Sequence, residues 1–102
     1  MVKWSNSAKL DLRQIYNYIS TNSEFYAKKV INDIIYKSDN LNNFPSIGKE
    51  VNEFNNPLIR EIYVYSYRMI YQIVSNNNVE ILAIVHTKRN LKLNDDTDTI
   101  EK

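Results

Sequence analysis

The chain has 102 residues, with 13 Lys and Arg against 12 Asp and Glu, a length that suits one domain with one modest core and is too short for two. Hydrophobic residues make up 43% and charged residues 25%, the balance of a folded protein and not of a disordered one. It contains no cysteine and one histidine, which rules out a disulfide framework or a thiolate metal site, so neither a metal nor another cofactor is expected.

No apolar run approaches the roughly 18 residues needed to cross a bilayer, and Met1–Ser5 lacks a signal-peptide stretch, so no membrane association is expected and the cytoplasm is the expected location. Four acids (Asp95, Asp96, Asp98, Glu101) and two bases (Lys92, Lys102) lie in segment 90–102, which leaves 11 basic and 8 acidic residues for the rest. Residues 1–89 therefore read as one mildly basic domain, short of the strong field of a nucleic-acid binder. Segment 90–102 reads as a polar, acidic tail, expected to be mobile.

Val2, Lys3 and Trp4 place apolar residues at alternate positions, enough for a strand that pairs with something later in the chain. Ser5 or Ser7 can cap a helix in which Ala8, Leu12, Ile15 and Ile19 form one stripe, running to about Ser20. Thr21, Asn22 and Ser23 break the pattern. A second helix follows on Ala27, Ile31, Ile34, Ser38 and Leu41, with Val30 and Ile35 widening its stripe, and the short link predicts an antiparallel hairpin. Asn42, Asn43, Phe44, Pro45 and Gly48 end it.

From Leu58 onward β-branched and aromatic residues dominate, and Leu58–Tyr65, Tyr67–Val74 and Val79–His86 read as three strands. Ser75 to Asn78 supplies hairpin-turn chemistry. The last strand is apolar at both alternating sets of positions, which predicts a central place in the sheet. The fold class is α+β: a strand, a helix hairpin and a three-stranded antiparallel meander, with both helices on one face of a twisted sheet.

Arg68 stands among aromatic residues on a strand, where a guanidinium can make bidentate contact with a phosphate or pair with a carboxylate such as Glu61. His86 is the one side chain whose ordinary titration lies near neutrality, suited to general acid–base work or to a structural place at a strand end. Lys88 and Arg89 follow closely, and Arg60 and Lys49 extend the basic surface. Tyr63, Tyr65, Tyr67 and Tyr71 either offer stacking faces to a partner or line a half-buried sheet.

The opening Trp4-Ser5 with Ala8, Asp11-Leu12, Ile15 and Tyr18-Ile19 resembles the first strand and helix of the RelE/ParE superfamily of toxins. Phe44-Pro45 with Gly48 looks like its post-hairpin loop. Arg60 ahead of Tyr67-Arg68-Met69-Ile70-Tyr71 is similar to its Tyr-Arg-x-x-Tyr strand, and Val85-His86 with Arg89 resembles its closing strand. Each piece is weak alone, but together and in order they cover nearly the whole chain.

The resemblance implies the toxin of a type II toxin–antitoxin module, neutralised by a cognate antitoxin. A disordered antitoxin segment would fold onto the helix hairpin and sheet, its carboxylates covering the basic surface near Arg68 and Arg89. Two activities from different classes come with it. A RelE-type enzyme would cut mRNA on the ribosome without metal by 2′-hydroxyl attack, with Arg68 and Arg89 as cations and His86 or a tyrosine handling protons. The paired lysines of the strongly active RelE-type enzymes, however, fall here on Ile59 and Glu61. A ParE-type toxin would instead bind and block DNA gyrase, and the helix pattern and the His86-x-x-Arg89 ending are more similar to that type. Under that reading Arg60, Lys49, Lys88, Tyr67 and Tyr71 are expected as phosphate or partner contacts.

Overall fold

A computed structural model describes residues 1–87. Strand β1 (Val2–Trp4) leads into helix α1 (Asn6–Ser20), then come α2 (Glu24–Asn40), β2 (Lys49–Glu50), β3 (Ile59–Val64), β4 (Tyr67–Ser75) and β5 (Asn78–His86). The five strands form one sheet in the order β1-β5-β4-β3-β2. β1 runs parallel to β5 and every other neighbour is antiparallel. The predicted α+β class, helix hairpin and meander are all present, and β5 lies inside the sheet, between β1 and β4. The two-residue strand β2 was not foreseen, since Lys49 and Glu50 carry no β-propensity and pair only at the sheet edge.

Serine caps set both helix starts. The Ser5 side chain accepts from the Ala8 amide and the Ser23 side chain from the Tyr26 amide, each at 3.0 Å, satisfying a donor that the first turn leaves open. The stripes meet the sheet as predicted, with Ala8 and Ile15 of α1 and Ala27, Val30, Ile34 and Ser38 of α2 buried. Ile35 departs from the reading: it lies off the buried stripe and is exposed. The main core gathers Ala8, Ile15, Val30 and Ile34 with Leu41, Val64, Met69, Tyr71, Val79, Ile81 and Ile84.

On the helix-free face a smaller cluster of Val51, Ile70 and Val85 is flanked by Ile59, Leu82 and Ala83. The loop after β2 packs on that face through its first residue, Val51, which is buried.

One irregularity decides which way β5 points its side chains. Ile70 faces Ala83 while Tyr71 faces Ile81, so Leu82 is an extra residue in β5. Such a bulge reverses the alternation beyond it. Val79, Ile81 and Ile84 accordingly join the helix-side core, whereas Ala83 and Val85 face away.

The backbone freed at this point is satisfied from α1 and its cap. Ser5 donates its amide to the Ile81 carbonyl at 3.0 Å and its hydroxyl to the Leu82 carbonyl at 3.2 Å. The Asp11 carboxylate accepts the Ile84 amide at 3.0 Å.

Candidate partner interface

The sequence-derived site residues fall into three groups, and the sheet separates the two that matter most. Tyr67 and His86 are cross-strand partners, as are Arg68 and Val85. Consecutive residues of a strand point to opposite faces, so Tyr67 and His86 lie on the helix side while Arg68 and Val85 lie on the other. His86 packs edge-on against Tyr67, ring centroids 5.7 Å apart. Both line a cleft of about 520 Å³ with Asp11, Tyr18, Tyr26 and Tyr65. Burial pushes the Tyr67 hydroxyl's pKa above its ordinary value.

The tip of the β3–β4 turn forms one wall of this cleft. Tyr65 adopts φ 56°, a left-handed backbone that costs a bulky residue steric energy and persists where neighbours hold it. Its hydroxyl donates to the Asp33 carboxylate, and its ring meets Tyr26 edge-on at 6.4 Å. Asp33 also pairs with Lys29 at 3.2 Å.

On the opposite face Arg68 is 7% exposed and held by two carboxylates. Its Nε donates to Glu61 at 2.7 Å, and Nη1 and Nη2 donate to the two oxygens of Glu53 at 3.1 and 3.0 Å. Burial works against the guanidinium charge, but the hydrogen bonds and charges of Glu53 and Glu61 outweigh it and raise the pKa. Of the two sequence readings of Arg68, the structure contains the pairing with Glu61. Lys49 stands at the edge of this group, 4.0 Å from Glu61 and 5.3 Å above the Tyr63 ring.

The third group holds the loop between α2 and β2. Tyr71 is fully buried, and its hydroxyl accepts from the Gly48 amide at 2.9 Å while donating to the Pro45 carbonyl at 2.7 Å. Arg60 donates from Nη1 to the Gly48 carbonyl at 2.8 Å. A Cβ on residue 48 would lie 2.6 Å from the Tyr71 hydroxyl and 2.7 Å from the Glu61 carbonyl, which is why glycine stands there.

These placements amend the expected contact set. Tyr71 has no face open to a partner, because its ring belongs to the core and its hydroxyl to the loop. Arg60 spends part of its guanidinium on the same loop. Lys88 and Arg89 lie outside the described residues. Sequence reasoning missed Glu53, whose segment carries no periodic pattern, and it gave Asp11 no role in fixing β5.

No group of acidic residues and histidine placed to hold a metal ion occurs among the described residues. No described helix is long and apolar enough to cross a membrane.

A family model described as the ParE toxin of type II toxin–antitoxin systems, parDE, matches residues 2–91. The chain belongs to the ParE toxin family. The expected RelE/ParE superfamily membership, nearer to ParE, is therefore met, and the type II toxin class with it. Among solved structures, a chain titled "Chromosomal ParDE TA system from P. aeruginosa" is similar at 23% identity with a TM-score of 0.67. The match covers 83% of this chain and 92% of that one and shows that the two share a fold. No curated protein matches.

Proposed function

We propose that this ParE-family toxin inhibits growth by binding a protein target, DNA gyrase, and that a cognate antitoxin holds it inactive. The observation that carries the binding reading is the separation of Arg68 from His86 across the sheet. Cleavage of an RNA phosphodiester needs a cation on the phosphate and proton-transfer groups within hydrogen-bond reach of the same atoms. Here the best cation is buried against two carboxylates on one face and the histidine rests on Tyr67 on the other. A binding protein has no such requirement. Family membership supports gyrase as the target, and the ParDE title of the structural relative supports an antitoxin as the neutralising partner.

The test is to induce the chain without antitoxin and to assay gyrase supercoiling and ribosome-dependent mRNA cleavage side by side. Inhibited supercoiling with intact mRNA is expected, and His86→Ala should leave growth arrest close to wild type. Codon-phased mRNA cuts with normal supercoiling would overturn the proposal in favour of RelE-type cleavage.

A further inference from the structure

Four of the chain's eight tyrosines converge on one cleft from four different parts of the fold. Tyr18 comes from α1, Tyr26 from α2, Tyr65 from the β3–β4 turn and Tyr67 from β4, and with Asp11 and His86 they line the space of about 520 Å³. Tyr18, Tyr26 and Tyr65 are 75, 45 and 46% exposed, too open for these rings to serve as core. Burial is the first cause that raises the Tyr67 hydroxyl's pKa, and Coulombic interaction with Tyr18 and Tyr26 raises it further, so the three phenolic oxygens lie near enough to feel one another.

One wall of this cleft is held under strain. Tyr65 and Ser66 are the two residues between β3 and β4, and a two-residue hairpin turn with positive φ at its first position favours Gly, Asn or Asp there. Tyrosine at φ 56° breaks that rule. A latch on α2 holds it in place: the Tyr65 hydroxyl donates to Asp33, which Lys29 also holds at 3.2 Å. The edge-on contact with Tyr26 sets the tilt of the ring. Asparagine would serve a turn that only reversed the chain. Strain that neighbours over-determine is found where a side chain must stand in one place for a ligand.

We propose that this cleft is a receptor for an arginine side chain of a protein partner, with the guanidinium stacked on the tyrosine rings and its N–H groups donating to their hydroxyls. The faces of aromatic rings attract a cation, and a planar guanidinium can stack and donate at the same time, which an ammonium cannot. Charge decides against a phosphate-bearing ligand. No lysine or arginine is among the described residues that line the cleft, and Asp11, while accepting the Ile84 amide, puts a carboxylate in its wall. The site lies across the sheet from Arg68. The inference names the side chain that the binding reading above leaves open, and it rests on that reading.

The test titrates the full chain with acetyl-Gly-Arg-Gly-amide and with the same peptide carrying citrulline, which keeps the shape and removes the charge, following the tyrosine ring signals by NMR. Shifts at Tyr18, Tyr26, Tyr65 and Tyr67 are expected, with the arginine peptide bound about fivefold more tightly than the citrulline peptide. Tyr65→Asn separates a ligand wall from a structural staple, because asparagine tolerates the left-handed backbone. Its affinity for the arginine peptide should fall about fivefold while its melting temperature holds or rises. Tyr26→Leu, on α2 and away from the turn, should weaken binding by a similar factor with the native melting transition retained. Equal affinity for the two peptides overturns the proposal, as does unchanged affinity in either variant, or larger shifts with uridine monophosphate than with the arginine peptide. Tighter binding after Arg89→Ala would make the chain's own arginine the occupant and overturn it too. Because gyrase takes no part in the titration, a failure of gyrase inhibition strikes the preceding reading and a flat titration strikes this one.

Discussion

The two faces of the sheet are stabilised by different physics. On the helix side, α1 and α2 lay apolar stripes over Met69, Tyr71, Val79, Ile81 and Ile84, and the contacts are non-directional burial. On the other side the loop after β2 packs through Val51 into a small apolar cluster beside an ion group of Arg68, Glu61 and Glu53. A face closed by helices tolerates change in proportion to the volume removed. A face closed by charges depends on every partner being present, since a buried charge left alone costs more than the pair returns.

The largest test of that contrast is Arg68→Leu, which strands Glu61 in a buried position and should cost about 3–5 kcal/mol by denaturant unfolding. Adding Glu61→Leu and Glu53→Gln should recover most of the loss, because apolar replacement of a whole ion group is close to neutral. Failure to recover would mean that the charges specify the face as well as neutralise one another. On the helix side Ile34→Ala should cost about 2–5 kcal/mol, and no second substitution of a polar residue should rescue it.

Also on the helix side, Tyr71→Phe leaves the Gly48 amide and the Pro45 carbonyl without their shared hydroxyl and should cost about 1–3 kcal/mol. Gly48→Ala should cost a similar amount, about 1–3 kcal/mol, through overpacking against the Tyr71 hydroxyl and the Glu61 backbone.

The smallest effect concerns Asp33 at the rim of the helix-covered face. Hydrogen bonds from the Tyr65 hydroxyl, then from Lys29, hold its pKa below the ordinary aspartate value of 3.8. A depressed folded pKa contributes stability that is full above 3.8 and fades as pH falls through the lower folded value. The melting temperature of wild type should therefore approach that of Asp33→Asn as pH drops through this acid range, while the two differ slightly and constantly near neutrality.

Much of this architecture was legible in the sequence because it follows from local periodicity. The stripe Ala8, Leu12, Ile15, Ile19, the capping serines at 5 and 23 and the β-branched runs after Leu58 each announce their element within a few residues. The orientation of His86 was not legible. Plain alternation places His86 on the face opposite Val79, and a single extra residue at Leu82, gripped by Ser5, returns it to the same face. That grip comes from 77 residues away and leaves no trace in the local pattern. Arg68 shows the same limit: its strand was plain, and Glu61 was recognisable as a partner. Glu53 comes from a segment whose shape depends on one Asn56 side chain and on Asn55 at φ 53°.

The parallel pairing of β1 with β5 bears on how the molecule is made. Val2, Lys3 and Trp4 are synthesised well before their partners Val79, Glu80 and Ile81. During translation β1 has no edge to join until β5 leaves the ribosome, and the helix hairpin lacks the part of its core that Val79, Ile81 and Ile84 supply. Contacts of such long sequence separation form late and slowly. The sheet and its helix-side core are therefore complete only once β5 has been made.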